Sequence, residues 1–350
     1  MAKTVIARVK PFTDGLRKAG LPPLGVFLLV LLAIAPWALQ DEFWTRLLVA
    51  ALMSATLAMA FDFTAGYINI VNFGYAAFWG FGAYTSAILA VKIGLSPWLG
   101  MIAGAIAAGI LGFAVGILTL RLSGIFASCM TWFVALTLMA VCANWTSLTA
   151  GNSGLPAPYL LNTDSNTPYF YLILLFTVAI YVLLVLITKS HIGMAFRAIG
   201  QDPQAAAASG INITYYKVFN MTVSCAIAGL VGGFYAHFVG ILTPDMMNTG
   251  HTVESIAISY IGGRGSIWGS FISALIIIPA LEYMRKLMAL RMVLYGALLI
   301  LVMLFYPAGL AGIFNSIYKY INKKILKDEN PLTNRISRIT STRPGPSTNQ

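Results

Sequence analysis

An all-α, polytopic membrane protein is the fold class this sequence predicts, and three observations carry that expectation. Of 350 residues, 59% are hydrophobic and only 9% charged, against about 25% charged in soluble domains. Apolar runs recur at the length needed to cross a bilayer. The basic residues that give a net charge of +11 gather at the termini and in a few loops, which is a pattern of membrane topology and not a nucleic-acid-binding face. Mean hydropathy of +0.81 excludes a soluble globular domain. The three cysteines, Cys129, Cys142 and Cys225, are odd in number and lie in apolar stretches, so no disulfide framework is expected. The three histidines, His191, His237 and His251, are scattered, with no cysteine or acid at ligand spacing. Neither a metal site nor a cofactor is expected.

Taken in order, residues 1–23 form a basic arm with Lys3, Arg8, Lys10, Arg17 and Lys18. The arm is too long for the charged region of a signal peptide, and the stretch with Pro36 and Trp37 lacks a clean small-residue cleavage site, so an uncleaved first span is predicted. Candidate spans are 24–39, 47–62, 70–91, 97–119, 125–143, 168–188, 218–241, 253–263, 266–284 and 292–307, about ten including short or broken ones. Loops 144–167 and 242–252 carry Asp but neither Lys nor Arg, as outward loops should. The same rule places the N-terminal arm, Arg121, the 189–217 loop and a tail with Lys319, Lys323, Lys324 and Lys327 inside, with both termini cytoplasmic. Arg285, Lys286 and Arg291 are left outside by this count. A re-entrant 253–263 would bring them inside but would export the more basic tail. Ten spans is therefore the expectation.

Residues 253–263 are short for a span and run into Gly262-Gly263-Arg264-Gly265. A broken helix at membrane depth is tolerated only inside protein or beside a water-filled cavity, so this segment is expected in the bundle interior. Glycines recur through the spans around 74–82, 100–116 and 229–233, where close helix packing is their default role. Asp62, Lys92, Glu254 and Glu282 read as boundary or packing charges more readily than as a proton relay. The region 24–313 is thus a membrane domain and 314–350 a basic tail. From about Asn330 that tail turns to Ser, Thr, Pro, Asn and Arg without an apolar face, which predicts disorder.

The polar segment from Lys189 to Lys217 stands apart. Gly200 is expected to end one short helix, Asp202 to cap a second, and Pro203 to occupy its first position. Gln204 to Ser209 is nearly all alanine and Gly210 supplies a left-handed stop. A rod of about two turns does not persist alone in water, so something holds it. Two readings stand: an ordinary loop between spans, and a docking helix for a soluble partner. No GxxxxGK[ST] phosphate loop and no nucleophile–base constellation occurs, so the chain is expected to be no enzyme and to draw its energy from another subunit. A self-contained ion-coupled carrier or channel is the rival.

Several stretches resemble the branched-chain amino acid ABC transporter permease family. Gln204-Ala205-Ala206, followed three residues later by Gly210, resembles the Glu-Ala-Ala-x-x-x-Gly signature of ABC-importer permeases, with Gln in place of the acid. Phe73 to Thr85 (FGYAAFWGFGAYT), Leu118 to Ile125 (LTLRLSGI) and Trp145 to Leu155 (WTSLTAGNSGL) are similar to segments of that family. So are Arg197 to Ile213 (RAIGQDPQAAAASGINI), Tyr260 to Gly269 (YIGGRGSIWG) and Tyr295 to Gly309. Tyr75, Gly200 and Ala150 depart from the family's usual residues. The likeness is greatest to the longer of its two permease subunits. It implies a heterodimer with a sister permease, two ABC ATP-binding subunits, a soluble substrate-binding protein outside, and a bacterial inner-membrane location. It also implies a coupling loop with Arg197, Asp202, Pro203, Gln204, Ala205, Ala206 and Gly210, and an outer loop with Thr149, Asn152, Ser153 and Gly154. Branched-chain amino acids are the implied cargo, with urea or short amides as the alternative. Asn69, Asn72 and Tyr75 are candidates for the translocation path, or equally for interhelical hydrogen bonds.

Overall fold

The computed structural model describes residues 41–284 apart from Arg121, Ser123, Asn162 and Asp164, with parts of 29–37 and of 293–312. Its long helices are α1 (Glu42–Ala65), α2 (Tyr75–Ile93), α3 (Pro97–Thr119), α4 (Ile125–Asn144) and α5 (Thr167–Lys189). Two short helices follow, α6 (His191–Gln201) and α7 (Pro203–Ala208), then the long α8 (Ile213–Val239). A bent pair closes the described core: α9 (Thr249–Gly262) and α10 (Ile267–Tyr283). Local chemistry sets the ends. The Asp41 carboxylate accepts from Phe43 N–H at 2.9 Å to open α1, and Asn212 accepts from Tyr215 N–H at 3.1 Å to open α8. Gly94 and Gly240 end α2 and α8 in the left-handed region, at φ of 71° and 82°.

Burial orders the bundle. The most apolar window of α1 is 83% buried and that of α4 only 28%, so α1 is the central post and α4 a peripheral one. On α3, Gly100, Gly104, Ala108 and Gly112 face inward, while Ile102, Ile106, Ile110 and Phe113 stand exposed on the outer surface of the bundle. Lipid tails are as apolar as leucine, so helices associate there by close packing. The contact of α2, α3 and α8 shows it: a Cβ on Gly82 would lie 2.3 Å from Gly229 Cα, and one on Gly104 2.5 Å from the Gly82 carbonyl oxygen.

Six helices among the described residues are long and apolar enough to cross a membrane. They correspond to the expected spans from 47–62 through 168–188, and to 218–241. The first and last expected spans, the N-terminal arm, the tail and Arg285 to Arg291 lie largely or wholly outside the described residues. The expected pair 253–263 and 266–284 is instead one broken unit, α9 and α10, bent by 116°. The chain reaches α9 by turning back along α2. The Leu242 carbonyl accepts from Tyr84 Oη at 3.5 Å, Met247 packs on Gly80, and Thr252 Oγ1 accepts from Ala76 N–H at 3.0 Å. With 14 residues α9 is about 21 Å long, too short for a full crossing. It lies in the bundle interior, with Ala257, Ile258 and Ser259 buried.

Two boundaries also move. α2 begins at Tyr75 rather than near residue 70, leaving 66–74 as a non-helical connection. α8 begins at Ile213, so the end of the expected 189–217 loop is helix. The two-residue strands β1 (Leu155–Pro156) and β2 (Ile241–Leu242) pair antiparallel and tie two loops together at the far end of α8.

Candidate functional site

The alanine rod forms as its residues dictate. Asp202 Oδ1 accepts from Gln204 N–H at 2.8 Å and Ala205 N–H at 3.2 Å, Pro203 takes the first helical position, and Gly210 turns out at φ of 82°. Ala206 alone is buried in this rod; Gln204, Ala205, Ala207 and Ala208 are exposed. Small exposed side chains leave its backbone open to close approach by another surface. Gly200 does not end the preceding helix, which runs on to Gln201. Its missing side chain has another use: a Cβ there would sit 2.2 Å from the Tyr67 carbonyl oxygen. Arg197 is exposed and stands 5.7 Å above the Tyr67 ring. Burial pushes the Tyr67 phenol above its usual range, so it stays neutral.

Between α1, α2, α8 and α9 lies a cavity of about 180 Å³. Its apolar walls are Ala50, Met53, Leu57 and Ala76, and its polar groups come from Ser54, Tyr75, Trp79, Tyr235, His251, Glu254 and Ser255. Trp79 stacks edge-on with Tyr235 at 4.8 Å and with His251 at 5.6 Å, and His251 Nδ1 lies 3.6 Å from Glu254 Oε2. The Trp79 indole N–H is buried without a hydrogen-bond partner, a costly state unless something else accepts from it. Larger hollows exist, but the one along Phe126 to Leu138 lies on the exposed outer side of α4.

The three sequence-chosen path residues part company here. Tyr75 lines the cavity and donates to the Ser224 carbonyl at 3.3 Å. Asn72 is buried beside the start of α2, where its Oδ1 accepts from Gly74 N–H at 2.9 Å and its Nδ2 faces Met221 Sδ at 3.9 Å. Asn69 is exposed and accepts from Arg264. In the outer loop, Thr149 Oγ1 donates to the Cys142 carbonyl at 2.6 Å and so holds the turn at Ala150, itself left-handed at φ of 59°. Asn152 and Ser153 are exposed, and Gly154 sits at φ of 87°. His237 donates from Nδ1 to the Pro158 carbonyl at 2.7 Å, fixing this loop to α8.

The chain can now be placed among known proteins. The family described as branched-chain amino acid transport system / permease component matches residues 43–303, which takes in α1 to α10. The chain belongs to that family. As a member of this permease family it is 26% identical over 282 residues to the high-affinity branched-chain amino acid transport system permease protein LivM of Salmonella typhimurium, covering 73% of the chain and 66% of LivM. It is 25% identical to LivH of Escherichia coli K12, covering 74% of the chain and 91% of LivH. The autoinducer 2 import system permease protein LsrC of Yersinia enterocolitica is 28% identical, over 65% of the chain and 62% of LsrC. The chain thus spans just under two thirds of LivM. No solved structure matches it.

Within this permease, sequence reasoning missed most of the cavity. Glu254 and Asp62 read as boundary or packing charges; Asp62, with no exposed surface, packs against α9 and the break after it, whereas Glu254 lines the cavity. Trp79 lies within the Phe73 to Thr85 stretch that resembles the family and is not among the expected site residues. The one available signal was His251 and Glu254 standing three apart, across the boundary between the expected outer loop 242–252 and the interior segment 253–263.

Proposed function

We propose that this permease is the membrane subunit of an ATP-driven importer, forming the translocation path with a sister permease. It is driven by two ABC ATP-binding subunits at its cytoplasmic face and fed by a soluble substrate-binding protein outside. The observation that carries this reading is the capped, alanine-surfaced α7, exposed on a chain with no nucleotide loop of its own. Nucleotide-dependent closure of the ATPase pair moves α6 and α7, and the bundle alternates between inward-open and outward-open states. ATP must contact the two states differently, because equal affinity shifts no population.

The cargo is an aliphatic amino acid, and the cavity supports this in three ways. Glu254, on a cavity wall shared with the Trp79 and Tyr235 rings, suits a protonated amine. The unpaired Trp79 N–H suits a carboxylate. Met53, Leu57 and Ala76 suit an apolar side chain. The test is purification of the complex from its native membrane, followed by uptake into vesicles with ATP inside. ATPase and receptor subunits should come along, and leucine, isoleucine or valine should be imported. Glu254→Gln should raise the KM for that cargo on the order of tenfold or more, with the complex still assembled. Uptake driven by an ion gradient without any ATPase would overturn the importer reading; an unchanged KM would remove Glu254 from the path.

A further inference from the structure

Asp62 lies in the last turn of α1 with no exposed surface. Its Oδ1 accepts from Ser259 Oγ at 3.2 Å and from Gly265 N–H at 3.0 Å, one group from α9 and one from the break before α10. Gly66 closes the same contact: a Cβ there would be 2.4 Å from Gly265 N. From within the break, Arg264 reaches back to donate to the Ala65 carbonyl at 3.3 Å and to Asn69 Oδ1, with its guanidinium 5.6 Å above the Tyr260 ring. Asn69 holds φ of 63°, uncommon outside glycine, and the connection is shaped around this contact. The end of α1, the 66–74 connection and the α9–α10 break are therefore joined by several bonds at once.

That connection also touches the two ends of the transport machinery. Its Tyr67 carbonyl lies against Gly200 of α6, and Arg197 of α6 covers the Tyr67 ring. Beyond its other end, Tyr75 lines the cavity. α9 spans the same interval from the other side, with Ser259 at the Asp62 contact and His251, Glu254 and Ser255 on the cavity wall. Coupling between two sites requires an element whose arrangement both sites bias; α9 meets the cavity at one end, and at the other it runs into the break whose Arg264 holds the 66–74 connection that leans on α6.

We propose that Arg264 is a positioning residue for transport: by gripping Asn69 it passes a displacement of α6 and α7 to α9, and so ties the cavity wall to the docking helix. Without the grip, movement at the docking helix is spent in the 66–74 connection. This rests on the importer reading above. The test compares ATP hydrolysed with cargo imported in the intact complex. Arg264→Gln should leave ATP hydrolysis close to the parent value while uptake falls, raising the ATP used per cargo molecule on the order of tenfold. Asn69→Gly keeps the left-handed backbone and removes only the acceptor, so it should give the same rise without disturbing the fold. The double variant should be no worse than either single one. Uptake and hydrolysis falling together in both variants would show a merely structural contact and overturn the proposal. So would an unchanged ratio in Asn69→Gly. If no ATPase assembles with the parent chain, the importer reading fails and this coupling falls with it. If the ATPase assembles and only the ratio is unmoved, the coupling falls alone.

Discussion

Single residues in this chain act mainly through backbone geometry and through hydrogen bonds in a place without water. Gly210 is an example: nothing lies within 4 Å of where its Cβ would be, so space is free, but φ is 82°. Gly210→Val should cost about 1–2 kcal/mol at the stop of α7 and abolish ATP-driven uptake while the chain still inserts. Unchanged uptake would count against α7 as the docking helix. Asn72 reads equally from sequence as path or as interhelical glue; its Oδ1 bond to Gly74 N–H is local, and its Nδ2 faces Met221 Sδ of α8 at 3.9 Å. Asn72→Ala should lose about 1 kcal/mol and lower complex yield, with the KM for cargo unchanged. A shifted KM at full yield would return Asn72 to the path.

Helices meet where glycine permits it. The junction of α2, α3 and α8 brings Gly82, Gly104 and Gly229 backbone to backbone, and such contacts replace the hydrophobic drive that lipid does not supply. Gly82→Ala would press a methyl group against backbone, which no rotamer change relieves. A loss of about 1–3 kcal/mol should appear as a lower thermal midpoint in detergent; an unaltered midpoint would mean the helices separate freely there. The α9–α10 break is the opposite case. There a bend of 116° is held by side chains, Asp62 and Arg264, rather than by close approach alone.

The whole molecule places two exposed small-residue surfaces far apart in sequence, the 203–210 rod and the 152–153 turn. The importer reading puts them on opposite sides of the membrane, and single cysteines can decide it. With Cys129 replaced, Asn152→Cys should react with a membrane-impermeant thiol reagent on intact cells, and Ser209→Cys only after the membrane is opened. Cys142 and Cys225 are buried and should stay silent. The reverse pattern would invert the topology and place the docking helix away from any cytoplasmic ATPase.

Composition and apolar run length alone determined that this is a helical membrane bundle, because a backbone in lipid must satisfy its own hydrogen bonds. Local chemistry at Asp202, Pro203 and Gly210 likewise determined the alanine rod, since a cap and a stop need only their near neighbours. The tertiary structure decided everything that joins residues distant in sequence. It turned two expected spans into a bent pair, made Asp62 an interior anchor, and brought Trp79, Tyr235 and Glu254 around one cavity. A lone acid near a span end reads the same in sequence whether it meets water or a buried backbone N–H. Only the packing of α1 against the break settles which it meets.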